Sequence, residues 1–547
     1  MTAERTSVLG GESKNRGLIS GRRSKGVTAA WAVTGVTGCL LLLFLQFIGL
    51  VVTVLMVIGV FVATFDPGTG ATPWSRFQDR RRMRYRRRHG LVDFIPVDQR
   101  PDDVVPGSVE WNKYRDWPDG ADGLYWLQHE PGVPAVAYHA PVGEEPWLTV
   151  AFSVDGPIQG LHGDAFLEHA QYQFGQLLAG WGSIQKLVSG IQIVTRVLPG
   201  DSAAHELWLQ EQLDPDAPED LQADYAELLD ERTAKSFVQR HFVVVRWNVN
   251  AQWHQVVDRR GDGLAGWLAV VMEHYASVKA RLEEAMYRNV RPMSGPRMGA
   301  VLRHMQHPGW PIDRASDVNV VPGYGLPGCW LPGCWLPSHD EWSWTEVVSV
   351  SPDPFIPELL LEASSWRHRT ARIPTSAMEV RELDGLWLSP LLTGLDEAIV
   401  RTLAVHIQFI PGREAKVTAR KDATQDQADL IGQEKKGRIV DDETELALSA
   451  ANRRANDLRD GSGHHGANWV AYLQVSTPDE DGLAHVSGVI EEAADQAGIG
   501  RLDWLDTLQS AAHATTWPLG RGITPPARSR AMKTLHAVSS GTPKEAL

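Results

Sequence analysis

Reactive side chains in this 547-residue chain fall in patterns that stop short of the spacings catalysis needs. A P-loop requires Gly-x4-Gly-Lys followed by Ser or Thr, because backbone amides and a lysine must converge on phosphate oxygens. No Gly-Lys pair occurs anywhere. One Gly-x-Gly-x-x-Gly runs through Gly323, Gly325 and Gly328, just behind the apolar Val318–Val321. A dinucleotide site needs a helix to open there, and Pro327 and Pro332 oppose one, so the segment reads as a Pro/Gly loop. His205-Glu206 lacks the second histidine of a zinc-protease helix, and there is no Gly-x-Ser-x-Gly. Cys329 and Cys334 belong to a doubled pentapeptide, LPGCW at 326–330 and again at 331–335, with His304, His307 and His339 nearby. Cys-x4-Cys without a second close-spaced pair is a poor zinc signature, and local duplication in a loop accounts for it. His464–His465 in a Gly-rich loop and the acidic pair Asp441–Asp442 read as solvated surface. No catalytic, metal or cofactor residue is assigned on these grounds, no cofactor is expected, and nothing demands an enzyme.

The densest charge is cationic. Arg76, Arg80, Arg81, Arg82, Arg84, Arg86, Arg87 and Arg88 crowd into 13 positions. The whole chain carries −14, but residues 1–90 hold 14 basic and 4 acidic side chains, leaving 39 and 63 in the remainder. The first 90 residues are therefore +10 and the body −24. An acidic body disfavours general nucleic-acid binding, whereas the basic segment suits anionic surfaces.

What lies just before the arginines decides which surface. Val27–Phe65 is 39 residues long without one charged side chain. As helix it would reach roughly 58 Å, nearly twice the ~30 Å hydrocarbon core of a bilayer. The expectation is a transmembrane hairpin, Val27–Leu45 and Leu50–Phe65, turning near Gln46–Gly49. Arginines and Lys25 flank both ends, so the positive-inside rule puts both termini in the cytoplasm and the protein in the cell membrane as a multi-pass chain. The arginine run then reads as a contact for anionic lipid headgroups rather than nucleic acid.

Behind it the pattern alternates. Leu124–His129, Ala135–His139, Trp147–Val154, Ile191–Val197 and Phe242–Val249 read as strands, with helical stripes over 167–181, 218–234 and 264–282. A second set follows: strands at Thr370–Val380, Arg401–Ile410 and Trp469–Val475, two helices within Lys416–Arg459, and a helix capped by Thr477. The expected fold class is α/β (α+β), a transmembrane hairpin followed by two ferredoxin-like modules. The expected divisions are a tail over 1–26, the hairpin over 27–65, and a basic segment over 66–110. A first module then covers 111–305, a Pro/Gly-rich linker 306–343, a second module 344–523, and a disordered tail 524–547.

Taken together these residues resemble a family of integral membrane proteins encoded in actinobacterial conjugative elements, part of type IV secretion-like DNA-transfer machinery. The likeness runs from the hairpin and its arginines, similar to a small PrgI-type membrane subunit, through Tyr225–Asp230, Gly295–Arg303 and Arg401–Val405. It ends at the helical pair around Asp422–Asp457 and at Trp517–Gly522. The resemblance implies a cytoplasmic region similar to the non-motor half of the secretion assembly ATPase. It implies a scaffold with no catalytic residues, which docks and positions a separate ATPase and other transfer-channel subunits at the cell membrane. Homo-oligomers are implied, and direct nucleic-acid binding is not expected. The alternatives are a membrane-tethered enzyme with a dispersed site, or a DNA-contacting transfer subunit.

Overall fold

The computed structural model describes residues 7–9, 25–64, 73–309, 347–350 and 360–522. Within these, 129–131, 142–143, 159–161, 183–186, 201–217, 235, 262, 364–365, 380, 384, 396, 411, 436–441, 460–463, 479–481 and 507 fall outside the description. In chain order the elements are β1 (Ser7–Leu9), α1 (Lys25–Thr64), α2 (Pro73–Arg88), β2 (Ile95–Pro96), β3 (Tyr114–Arg115), β4 (Leu124–Gln128), β5 (Val136–His139) and β6 (Trp147–Asp155). Next come α3 (Asp164–Trp181), β7 (Val188–Pro199), α4 (Glu219–Ala234), β8 (Phe237–Asn248), α5 (Ala251–Val257), α6 (Gly263–Glu284), β9 (Arg288–Pro292) and α7 (Gly295–Gln306). The remainder are β10 (Val347–Val350), β11 (Leu360–Ala363), β12 (Trp366–Ile373), β13 (Arg381–Leu383), α8 (Ser389–Leu392), β14 (Val400–Ile410), α9 (Gly412–Lys435), α10 (Asp442–Asp457), β15 (Gly466–Thr477), α11 (Gly482–Gln496), β16 (Asp503–Trp504) and α12 (Gln509–Ala514).

Strands from both halves of the chain join in one 12-stranded sheet, and every pairing in it is antiparallel. Strands β9-β6-β8-β7 lie side by side in the first half, and β14-β15-β12-β16 in the second. Each half thus follows the order strand, helix, strand, strand, helix, strand with the first strand inside. The halves meet where β7 pairs with β14, from Arg401 opposite Val197 to Gln408 opposite Gly190.

Both faces of the sheet are covered, which is why its inner strands are apolar without strict alternation. Val243, Val245 and Trp247 of β8 point to one face with Leu148, Val150 and Phe152, beneath Leu177 and Trp181 of α3 and Val271, Val278 and Leu282 of α6. In the second half Leu403, Leu473 and Val475 pack under Leu483, Val486 and Ile490 of α11. Phe242 and Val244 point to the opposite face, under Met298, Val301, Leu302 and Met305 of α7 and under Trp517 and Leu519. Each such large apolar side chain contributes roughly 1.5–3 kcal/mol when removed from water.

The apolar amino-terminal stretch turns where expected, within Gln46–Gly49, but does not supply the expected membrane spans. Helix α1 breaks at Gln46, whose φ of 43° and ψ of −113° lie outside any helix. Its two arms fold back on each other at small residues: the Thr53 hydroxyl donates to the Gly38 carbonyl at 3.4 Å, and Gly38 lies against the Thr53 methyl. No helix among the described residues is long and apolar enough to cross a membrane. The transmembrane hairpin is therefore not part of this fold, and the multi-pass assignment to the cell membrane falls with it. The architecture is a mixed α and β body on a large antiparallel sheet.

Two further differences concern chain ends and linker. Ser7–Leu9, expected in a polar tail, pairs with β13. The doubled LPGCW lies outside the described residues, as do Gly323, Gly325, Gly328, His205-Glu206 and His339. The strand expected to run to Val380 ends at Ile373, before Pro374, which opens a single helical turn instead.

The junction of the halves is tight at Gly190. A Cβ added to Gly190 would lie 2.6 Å from the Ile407 carbonyl oxygen on β14. Gly190→Val is expected to destabilise the chain by about 1–3 kcal/mol, as overpacking does. A fall in the urea midpoint with unchanged denaturant slope is the expected result.

Candidate functional site

Two polar constructions stand out, one outside the body and one within it. The outer one is α2, which carries the arginine run. Its inward side is fastened: Met83 is 2% exposed, and Arg86 pairs with Asp119 while donating to the Leu91 carbonyl at 3.0 Å. Asp119 also accepts from Arg115 and, at 2.8 Å, from the hydroxyl of Ser510 in α12. Burial alone would push the Asp119 carboxyl up, but Arg115 and Arg86 together with the Ser510 hydrogen bond outweigh it and hold it below the usual carboxylate range. The other described arginines, Arg80, Arg81, Arg82, Arg84, Arg87 and Arg88, are exposed. Arg76 shares the helix, and its side chain lies outside the described residues. The structure thus separates one tethering arginine from a set of outward ones, a distinction the sequence does not show.

The inner construction covers the sheet face under α7 and α12. Because register alternates, Gln192 and Arg196 of β7, Arg246 of β8, Thr402 and His406 of β14, Tyr472, Gln474 and Ser476 of β15 and His368 and Thr370 of β12 share one face. They grip the chain that crosses above them. The Gln192 amide donates to the carbonyls of Trp517 at 2.8 Å and Thr515 at 3.1 Å, and its oxygen accepts from the Gly520 N–H at 2.7 Å. His406 Nε2 donates to the Thr515 carbonyl at 2.8 Å, and the Tyr472 hydroxyl donates to Gly522 at 3.0 Å. Arg521 turns back into the body, donating to the carbonyls of Gly120 and Asp122. Residues 515–522 are in effect a strap laid across the seam of the two halves.

Helix α7 is held by the same means. Arg196 donates to Thr402 Oγ1 at 2.9 Å and to the His304 carbonyl at 3.0 Å, so one guanidinium joins β7, β14 and α7. His368 Nε2 donates to the Gln306 carbonyl at 3.0 Å, and His513 Nε2 to the Met305 carbonyl at 3.1 Å. The two imidazoles stack with centroids 4.4 Å apart. A carbonyl only accepts, so each of these rings presents an N–H and needs no charge.

Electrostatics agree. Burial lowers His368 to about 3 and His406 to about 4, and places His139, His304 and His513 well below an ordinary imidazole. Neighbouring Arg196, Arg246 and Arg521 act in the same direction. Burial also lowers Arg196 and Arg246 to about 9. The cavity bounded by Ser189, Gln192, Arg246, His406 and Gly520 is about 20 Å³, room for one water. These residues hold backbone, and the space between them fits no larger molecule.

Of the other residues considered for chemistry, His304 is buried in this layer and His307 is half-buried at its edge. Among the described residues no group of three His, Cys, Asp or Glu is placed to hold a metal ion. His464 is exposed and His465 packs against Gly182; the side chains of Asp441 and Asp442 lie outside the described residues. The buried arginines and Gln192 escaped sequence reading, since isolated polar residues inside strand patterns look like solvent-facing positions. Their one signal is periodic: Gln192, Val194 and Arg196 repeat at intervals of two on the face opposite Ile191 and Ile193. No protein-family model matches this chain, and no curated protein is similar to it.

Two outcomes follow from these contacts. Histidines neutral in the fold but titrating near 6.5 when unfolded leave stability at its full value above pH 6.5. Stability then falls as pH drops from 6.5 towards about 4, by up to about 1.4 kcal/mol per pH unit for each histidine. Urea midpoints at pH 7 and pH 5 measure this, and His406→Asn should flatten the dependence. Asp119→Ala removes the acceptor shared by Arg86, Arg115 and Ser510, and should cost about 1–3 kcal/mol in the same assay.

Proposed function

We propose that this chain is a non-catalytic docking subunit that positions a separate assembly ATPase within a type IV secretion-like DNA-transfer apparatus. The observation that carries the reading is the inward use of its polar chemistry. His368, His406, His513, Arg196 and Gln192 spend their hydrogen bonds on the protein's own backbone, fixing a rigid shape. Recognition is left to the outer surface.

That surface has an acidic body of −24 and a helical pair, α9 and α10, between which lies an open cleft of about 700 Å³. Leu430 and Leu448 supply apolar contact there, and Glu445, Asn452, Arg453 and Asp457 surround it with polar groups. Such a mixture suits a protein partner: an apolar patch for affinity and a charged rim for orientation. The likeness of Arg401–Val405 and Trp517–Gly522 to the conjugation family supports a DNA-transfer motor as that partner. Residues of both segments lie in the seam and strap that give the body its shape.

Calorimetric titration of a DNA-transfer ATPase with the full chain tests this. A micromolar or tighter complex that weakens with salt is expected, and Leu448→Asp should weaken it at least tenfold, about 1.4 kcal/mol. Absence of a complex, or ATP turnover by the chain alone, would defeat the reading.

A further inference from the structure

Helix α2 has two unlike sides. At about 100° per residue, Arg86 and Met83 point towards the body, where they are held. Diametrically opposite, within a sector of about 100°, lie Arg81, Arg84 and Arg88 together with Trp74, Phe77 and Tyr85. Arg80 and Arg87 border the same sector. The three aromatic rings stand out in solvent, at 52%, 53% and 59% exposure. Trp74 and Phe77 stack with centroids 5.6 Å apart. The sector contains no acidic residue.

From this arrangement we propose that the outer face of α2 binds single-stranded nucleic acid. Three features select that occupant. Every basic residue of α2 is arginine and none is lysine, and a planar guanidinium forks onto phosphate oxygens where an ammonium offers only a point charge. The aromatic rings share the arginine face, so guanidinium–phosphate contacts and base stacking are available to one strand at once. A helix lying in a lipid surface instead separates its apolar and basic residues onto opposite faces. Here, inserting Trp74 and Phe77 into acyl chains would draw Arg81 and Arg88 in with them.

The tether through Asp119 completes the device. It holds the carboxyl-terminal half of the helix to the body, so the outward arginines keep their geometry in the absence of ligand. The −24 body repels the strand elsewhere, which confines binding to the +10 segment. This inference is independent of the docking role, which uses other surfaces.

Fluorescence anisotropy of a labelled oligothymidylate with the full chain, between 50 and 200 mM salt, tests the proposal. Binding should weaken with salt, log K falling against log salt with a slope of about −0.7 per phosphate contacted. The combined variant Arg81→Glu, Arg84→Glu, Arg88→Glu should lose at least tenfold in affinity and about 2 in slope. Tyr85→Ala should lose about fivefold or more with the slope unchanged. Near-UV circular dichroism and the urea midpoint should match the parent chain for both variants, since neither alters the tethered side. The proposal is overturned by no oligonucleotide binding at micromolar protein, by binding the triple variant retains, or by capture on phosphatidylglycerol vesicles without capture of the oligonucleotide. Repeating the ATPase titration with the triple variant separates the two readings, because docking through α9 and α10 should survive it.

Discussion

The pairing of β7 with β14 is the constraint on which the remaining structure rests. Each of these strands would otherwise be the edge of a smaller sheet, with a row of unpaired N–H and C=O groups facing water. Joined, they bring residues about 200 positions apart in the chain into register and make one continuous sheet. Close approach is possible because Gly190 has no side chain to meet the Ile407 carbonyl. On one face Ile191 and Ile193 continue the apolar surface of β8. On the other, Arg196 and Thr402 bond across the seam.

A seam of this kind leaves a polar surface to be covered, and the chain covers it with its own late segments. Helix α12 and residues 515–522 return from the second half to lie over the first. Gln192, His406 and Tyr472 bind the returning backbone by its carbonyl and amide groups. Trp517 and Leu519 fill the apolar space between them. Neutral imidazole suits this position because it donates one N–H to a carbonyl without bringing a charge into a layer that already holds Arg196, Arg246 and Arg521. Those guanidiniums are themselves distributed over carbonyls and aromatic rings, Arg246 lying 4.1 Å above the Trp147 ring. The layer therefore fixes shape.

Outside the sheet the polarity is reversed, and charge is displayed. Helix α2 offers arginines and aromatic rings on one side while Asp119 secures the other. Helices α9 and α10 offer a wide cleft at a distance in sequence from α2. The body thus combines an inward-bonded polar layer with two chemically different outer surfaces. Helix α1 adds a doubled-back apolar rod, with Leu43, Phe44 and Phe47 more than three-quarters exposed at its bend.

Local alternation in the sequence was enough to locate most strands and helices of the sheet. Trp147–Val154 and Arg401–Ile410 differ from β6 and β14 by one residue at an end, and the breaking of 416–459 into two helices matches α9 and α10. These are short-range properties, set by side chains two, three or four positions apart. The charge contrast between the first 90 residues and the body is likewise a property of composition. Tertiary structure decided the rest. Apolar composition placed the turn at Gln46 but did not show that the arms on either side of it fall short of a membrane span. Nor did the arginine run show that Arg86 is a tether, since its partner Asp119 is 33 residues away. Trp517–Gly522 has no periodicity of its own, and it becomes core only because Gln192, more than 300 residues earlier, lies beneath it. Pairings of that range depend on which faces the folded sheet brings together, and neighbouring residues in the chain carry no record of them.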